Sequence, residues 1–152
     1  MPKPIYILNG PNLNLLGHRE PEIYGSDTLN DIEKRLSKIA TALKLEFTFR
    51  QTNSEGELID WVQEAKNSGS AIIINAAGLT HTSVALLDAL NASQLPIVEV
   101  HLSNIFRRES FRNHSYVSLS AIGIICGFGA MSYELALNAV SKILESEKKE
   151  GT

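Results

Sequence analysis

Short apolar runs separated by amphipathic segments constrain this chain more than any other feature. Residues 5–8, 71–74, 96–100 and 122–126 are nearly all apolar, with Glu99 the one charged exception, and residues 45–50 alternate. Runs this short, bounded by turn residues such as Asn9, Gly10 and Pro11, read as β-strands. A strand that is apolar at every position needs cover on both faces, which a parallel sheet flanked by helices provides. The segments between have helical spacing. Leu29, Ile32, Leu36, Ile39 and Leu43 mark a helix over 28–43, with Ser26, Asp27 and Thr28 as N-cap oxygens. Ser54-x-x-Glu57 is a capping-box pattern, followed by Leu58, Trp61, Val62 and Ala65 in a second helix. Residues 83–91 form a third, with Val84, Leu87 and Leu90 or Leu86 inward, and residues 131–144 a closing one.

A repeated strand–helix alternation with right-handed crossovers predicts an α/β fold. The expected form is a flavodoxin-like, doubly wound, five-stranded parallel sheet of order 2-1-3-4-5. With 152 residues, 43% of them hydrophobic, the chain suits a single catalytic domain over 1–152. The charged run 145–150 predicts a frayed tail over about 147–152. A net charge of -3 gives no basic excess for nucleic acid, and no apolar run reaches bilayer-spanning length. The opening residues read as a strand and not as a signal peptide, and one cysteine, Cys126, excludes an internal disulfide. These features predict a cytoplasmic protein without nucleic-acid or membrane partners.

Ligands of doubly wound sheets bind beyond the carboxyl ends of the strands. After the first strand, residues 9–27 form a connection far longer than the usual ~2–6 residues. Gly17 and Gly25 bracket a stretch, about 17–25, that suits a lid, and a plain polar surface loop fits the length equally well. After the third strand, Asn75 leads through His81, Thr82 and Ser83 into a helix whose start can cap itself or hold an anion. After the fourth, Glu99 and His101 are two apart, so they share one face of a strand. A carboxylate beside an imidazole orients the ring and favours its protonated form, which suits a general acid; structural hydrogen bonding is the alternative role. Arg107, Arg108 and Arg112 follow, and one facing the cleft would clamp a carboxylate. A phosphate loop, a G-x-G-x-x-G fingerprint and metal-ligand spacing are all missing from the sequence. The inventory fits proton transfer on a small anionic substrate without a cofactor.

The run from Ile7 to Gly25 (ILNGPNLNLLGHREPEIYG), Thr80-His81-Thr82-Ser83, Glu99 to Asn104 (EVHLSN), and Phe111-Arg112 with His114-Ser115-Tyr116 together resemble type II 3-dehydroquinate dehydratase. The resemblance extends to Gly127-Phe128-Gly129 and spans essentially the whole chain. It implies a cofactor-independent hydro-lyase that converts 3-dehydroquinate to 3-dehydroshikimate by anti elimination of water through an enolate, the third step of the shikimate pathway of aromatic amino acid biosynthesis. It also implies roles: Tyr24 as the base, Arg19 as its activating neighbour, Asn12 holding the water that stabilises the enolate, His101 as the acid and Glu99 orienting it. Asn75, His81, Arg112 and the backbone at Leu102 and Ser103 would bind substrate. Asp88 would reach a neighbouring subunit's site in a dodecamer built from trimers. The chain departs from the family pattern at Leu79, Asn113 and Met131-Ser132, none of them an expected catalytic group.

A free tyrosine has a pKa of about 10, so Tyr24 needs a close, desolvated guanidinium to serve as a base near neutral pH, and lid closure would supply it. The main alternative, a flavodoxin-like binding domain, needs a hydroxyl- and glycine-rich loop after the first strand, where Asn9-Gly10-Pro11-Asn12 stands instead. A phospho-receiver needs an acceptor aspartate where Asn75 stands. A lysine-imine dehydratase needs a lysine at the cleft end of a strand, and the sequence offers none there.

Overall fold

The computed structural model describes residues 2–18 and 20–150, and of Pro21 and Tyr24 the backbone alone. In chain order the main elements are β1 (Ile5–Asn9), α1 (Pro21–Tyr24), α2 (Leu29–Leu43), β2 (Phe47–Gln51) and α3 (Glu55–Ser68). They continue with β3 (Ala71–Asn75), α4 (Val84–Ser93), β4 (Ile97–His101), β5 (Gly123–Cys126) and α5 (Met131–Glu150). The five strands are parallel in the order β2-β1-β3-β4-β5, as the apolar runs predict.

Strand alternation divides the core in two. Ile5, Ile7, Ile73, Val98 and Val100 face α2 and α5, where Ile32, Leu36, Leu137 and Val140 are buried. Tyr6, Leu8, Ile72, Ile74 and Ile97 face α3 and α4, against Leu58, Val62, Leu86 and Leu90. Each fully buried Leu or Ile side chain contributes roughly 1.5–3 kcal/mol, so the two layers fix the sheet and with it the line of strand ends.

Local chemistry sets the helix starts. Thr28 closes a capping box with Asp31: its hydroxyl accepts from Asp31 N at 3.1 Å, and the Asp31 carboxylate accepts from Thr28 N at 3.0 Å. Ser54 caps α3 through Glu57 N, and Ser83 caps α4 through Leu86 N.

Along the later helices and the last strand, the structure departs from the sequence reading in three places. In α4 the inward stripe is Leu86, Ala89, Leu90 and Ser93, while Val84, next to the cap, is half exposed. The helix α5 runs to Glu150, past the expected end at residue 144, its charged last turns projecting into solvent. Finally, β5 is apolar but not covered on both faces: Gly123 and Ile124 are exposed. Its place at the sheet edge explains the difference, since one flank has no neighbouring strand.

The strand ends line up. Asn9 is in register with both Gln51 and Asn75, and His101 with Cys126. Gly10 packs so tightly against the Ala76 carbonyl that a Cβ there would sit 2.5 Å from its oxygen, so glycine is required where the chain leaves β1 beside β3.

Candidate active site

A cavity of about 160 Å³ lies at the carboxyl ends of the strands. One wall comes from the segment after β1, with Asn12, Leu13 and Leu16; the other polar wall carries Asn75, His81 and His101. Leu102, Ser103, Arg108 and Arg112 close the side beyond β4. The structure thus brings together Asn12, Asn75, His81, His101, Leu102, Ser103 and Arg112, residues that the sequence picks out from four separate motifs and the end of the third strand. Glu99 stands behind His101, away from the lining, and Asp88 is exposed on α4, also outside it. Arg19 lies outside the described residues, as does the side chain of Tyr24.

Glu99 and His101 form a buried polar pair at the cavity wall. Their shared strand face, predicted by the spacing of two, is the one toward α3 and α4. The His101 Nε2 is 2.5 Å from Glu99 Oε2, and both residues are buried. The same carboxylate oxygen accepts from Ser115 Oγ at 2.8 Å, and Ser118 Oγ donates to the other oxygen. Burial by itself would raise the Glu99 pKa. The donors at His101, Ser118 and Ser115 outweigh it and hold the carboxyl below its ordinary 4.5. Glu99 therefore stays ionised, the Nε2 of His101 carries a proton toward it, and Nδ1 is the ring atom left for the cavity.

His81 is fixed differently. Its Nδ1 lies 2.8 Å from the His114 carbonyl, which can only accept, so Nδ1 is the donor and Nε2 remains as an acceptor. Burial holds its pKa below the ordinary 6.5; the His114 carbonyl opposes this, while the neighbouring His101 and Arg112 reinforce it. A neutral imidazole accepting at Nε2 suits a substrate hydroxyl. Thr82 and Ser83 do not line the cavity, and their hydroxyls serve the Gly78 carbonyl and the Leu86 amide.

Of the three candidate arginines, Arg108 and Arg112 face the cavity and Arg107 does not. Arg112 Nε donates to Glu109 at 2.9 Å and its guanidinium sits over the Phe111 ring, which leaves its outer N–H groups for an anion. Arg108 donates to the Ser103 hydroxyl at 3.3 Å.

Asn12 is held in the left-handed region, at φ 71°, with its backbone N–H on Asn53 Oδ1 at 2.9 Å. Gln51 Nε2 ties this turn down by donating to the Gly10 carbonyl and to Asn53 Oδ1. Gln51 and Asn53 were missed from the sequence. The end of β2 carries the same positional signal as the ends of β1, β3 and β4. Ser115 and Ser118 were not assigned a role either, and nothing in their local sequence points to Glu99.

The segment of residues 17–25 starts and ends at glycines with positive φ, Gly17 at 89° and Gly25 at 84°. Gly17 lies so close to the Ser26 carbonyl and the Thr28 side chain that a Cβ would sit 3.0 Å from each. The two ends of this segment are therefore pinched together, and within it α1 forms a short helical turn where the sequence suggested loop. Among the described residues, no three His, Cys, Asp or Glu side chains lie together as metal ligands, and no helix is long and apolar enough to cross a membrane.

Residues 3–141 match the model of a family described as dehydroquinase class II. The chain is 57% identical over 146 residues to a 3-dehydroquinate dehydratase of Caulobacter vibrioides, covering 96% of this chain and all of that one. It is 60% identical over 141 residues to a 3-dehydroquinate dehydratase of Phenylobacterium zucineum, covering 93% and 97%. Among solved structures, a type II dehydroquinase from Propionibacterium acnes superposes with a TM-score of 0.89 at 44% identity, over 93% of this chain and 98% of that one.

Proposed function

The chain belongs to the class II dehydroquinases, and from that membership we propose that it dehydrates 3-dehydroquinate to 3-dehydroshikimate, the third step of the shikimate pathway. The observation that carries the chemistry is the buried Glu99–His101 pair opening onto a cavity lined by Asn12, Asn75, His81 and Arg112.

In this reading Tyr24, as phenolate, takes the proton on the carbon next to the ketone, with Arg19 favouring the phenolate. The C–H electron pair moves into an enolate, whose oxygen is stabilised by a water held at Asn12. Collapse of the enolate forms the carbon–carbon double bond and expels the hydroxyl on the opposite face. His101 Nδ1 gives its proton to that hydroxyl, which leaves as water. Glu99 supports the reaction by keeping the ring in one orientation and stabilising its positive charge. Arg112 pairs with the substrate carboxylate, while His81 Nε2 accepts from a hydroxyl. Asn75 and the backbone at Leu102 and Ser103 bind the remaining polar groups. The atoms balance without an external redox partner, so the reaction requires no cofactor.

We extend the proposal to assembly and place. The chain works as a single catalytic domain, in the cytoplasm, within a dodecamer of trimers. The exposed position of Asp88 on α4 leaves it available to a neighbouring subunit's site. Exposed apolar side chains at Leu119, Ile122, Ile124 and Phe128, around the uncovered β5, are suited to subunit contact.

The test is an ultraviolet assay with 3-dehydroquinate, following the conjugated enone of the product. Enone formation that survives borohydride treatment in the presence of substrate is expected. Absence of enone, or a covalent lysine adduct by mass spectrometry, would overturn the assignment.

A further inference from the structure

Tyr133 is fully buried on α5, and its hydroxyl lies between two asparagines at the ends of adjacent strands. Asn75 Nδ2 donates to it at 3.0 Å, and it donates to Asn9 Oδ1 at 2.6 Å. The chain of bonds continues at both ends into backbone. Ala77 N–H donates to Asn75 Oδ1 at 3.2 Å, and Asn9 Nδ2 donates to the Arg50 carbonyl at 3.0 Å. A backbone N–H can only donate and a carbonyl can only accept, so the series has one possible direction, from Ala77 to Arg50. Neither amide can turn over without leaving a buried donor facing a donor.

The direction matters because Asn75 also lines the cavity. With one amide N–H on Tyr133 and one lone pair of Oδ1 on Ala77, it has one N–H and one lone pair left, in fixed positions. Ala77 itself is held at φ 53°, a left-handed conformation unfavourable for alanine, and the bond from Asn75 Oδ1 helps hold it there. Burial pushes the Tyr133 hydroxyl well above its ordinary pKa of 10, so it remains a donor throughout the working range.

We propose that Tyr133 is a positioning residue for substrate binding, its buried hydroxyl setting which end of the Asn75 amide faces each side of the cavity. This rests on the reading of Asn75 as a substrate contact. Tyr133 touches no reacting atom, so its removal acts on binding more than on turnover.

The test is a double-mutant cycle on the full-chain enzyme with 3-dehydroquinate: Tyr133→Phe, Asn75→Ala and the pair together. Tyr133→Phe is expected to raise KM by about 10-fold, to change kcat by less than about 3-fold and to leave the pH–rate profile in place. In the Asn75→Ala background it is expected to add less than about 2-fold to KM. Asn9→Leu is the second variant, should Tyr133→Phe not fold. Without the Asn9 acceptor the tyrosine hydroxyl turns toward Asn75, and the same KM rise, again absent beside Asn75→Ala, is expected. If Asn75→Ala raises KM and Tyr133→Phe does not, the positioning role fails while Asn75 keeps its substrate contact. Full additivity in the cycle overturns it as well, since Tyr133 would then act elsewhere. An unchanged KM for Asn75→Ala removes the substrate contact and the inference together. Absence of enone from the unmodified enzyme would instead overturn the proposed function.

Discussion

His101 Nε2 lies 2.5 Å from Glu99 Oε2, and neither side chain is open to solvent. The carboxylate also accepts from Ser115 and Ser118, which hold it against the ring. A carboxylate fixed in this way determines which ring nitrogen faces the cavity.

Glu99→Gln removes that charge and leaves most of the volume unchanged. The expected outcome is a fall in kcat of about 10–100-fold with KM changed by less than about 3-fold, because the ring loses the charged partner that holds it in place. An unchanged kcat would remove Glu99 from the orienting role.

Tyr24→Phe deletes the proposed base. Turnover is expected to drop by about 10²–10⁴-fold, while the affinity for substrate, measured by calorimetry, stays within a few-fold. Near-normal turnover would take Tyr24 out of that role.

Arg19→Ala tests how the tyrosine becomes a phenolate. Without the guanidinium, the acidic limb of the profile is expected to move upward in pH. If the limb is unchanged, something else favours the phenolate.

Stability should respond to acid in two stages. The pKa of His81 is depressed in the fold below 6.5, so its contribution is present above pH 6.5 and is lost as pH falls through the folded value. That of Glu99 is depressed below 4.5, so its contribution is present above pH 4.5 and is lost on further acidification. Thermal unfolding followed from pH 8 downward should show both declines, and His81→Gln should abolish the first. A Tm flat to pH 5 in the unmodified protein would contradict the His81 assignment.

Much of this was legible in the sequence because it depends on short spacings. The four largely apolar runs fix the strands, and the two-residue interval between Glu99 and His101 puts them on one strand face. What was not legible depends on position in the sheet or on distant partners. The run at residues 122–126 is as apolar as that at 71–74, and its exposure follows from being last in the strand order. Ser118 reaches Glu99 across nineteen positions and Tyr133 reaches Asn9 across 124, so neither leaves a local trace. The stripe in α4 was misplaced at Val84 because an apolar residue beside the cap looks the same as one in the core.

The sheet also acts as a partition. The pair proposed for proton delivery, Glu99 and His101, lies on the α3 and α4 side, and the amide network of Asn9, Asn75 and Tyr133 on the α2 and α5 side. The two meet only at the rim where the strands end. The proposed acid and the proposed setting of the Asn75 amide are therefore separable traits, carried on opposite faces of one sheet. Selection can alter one with little effect on the other.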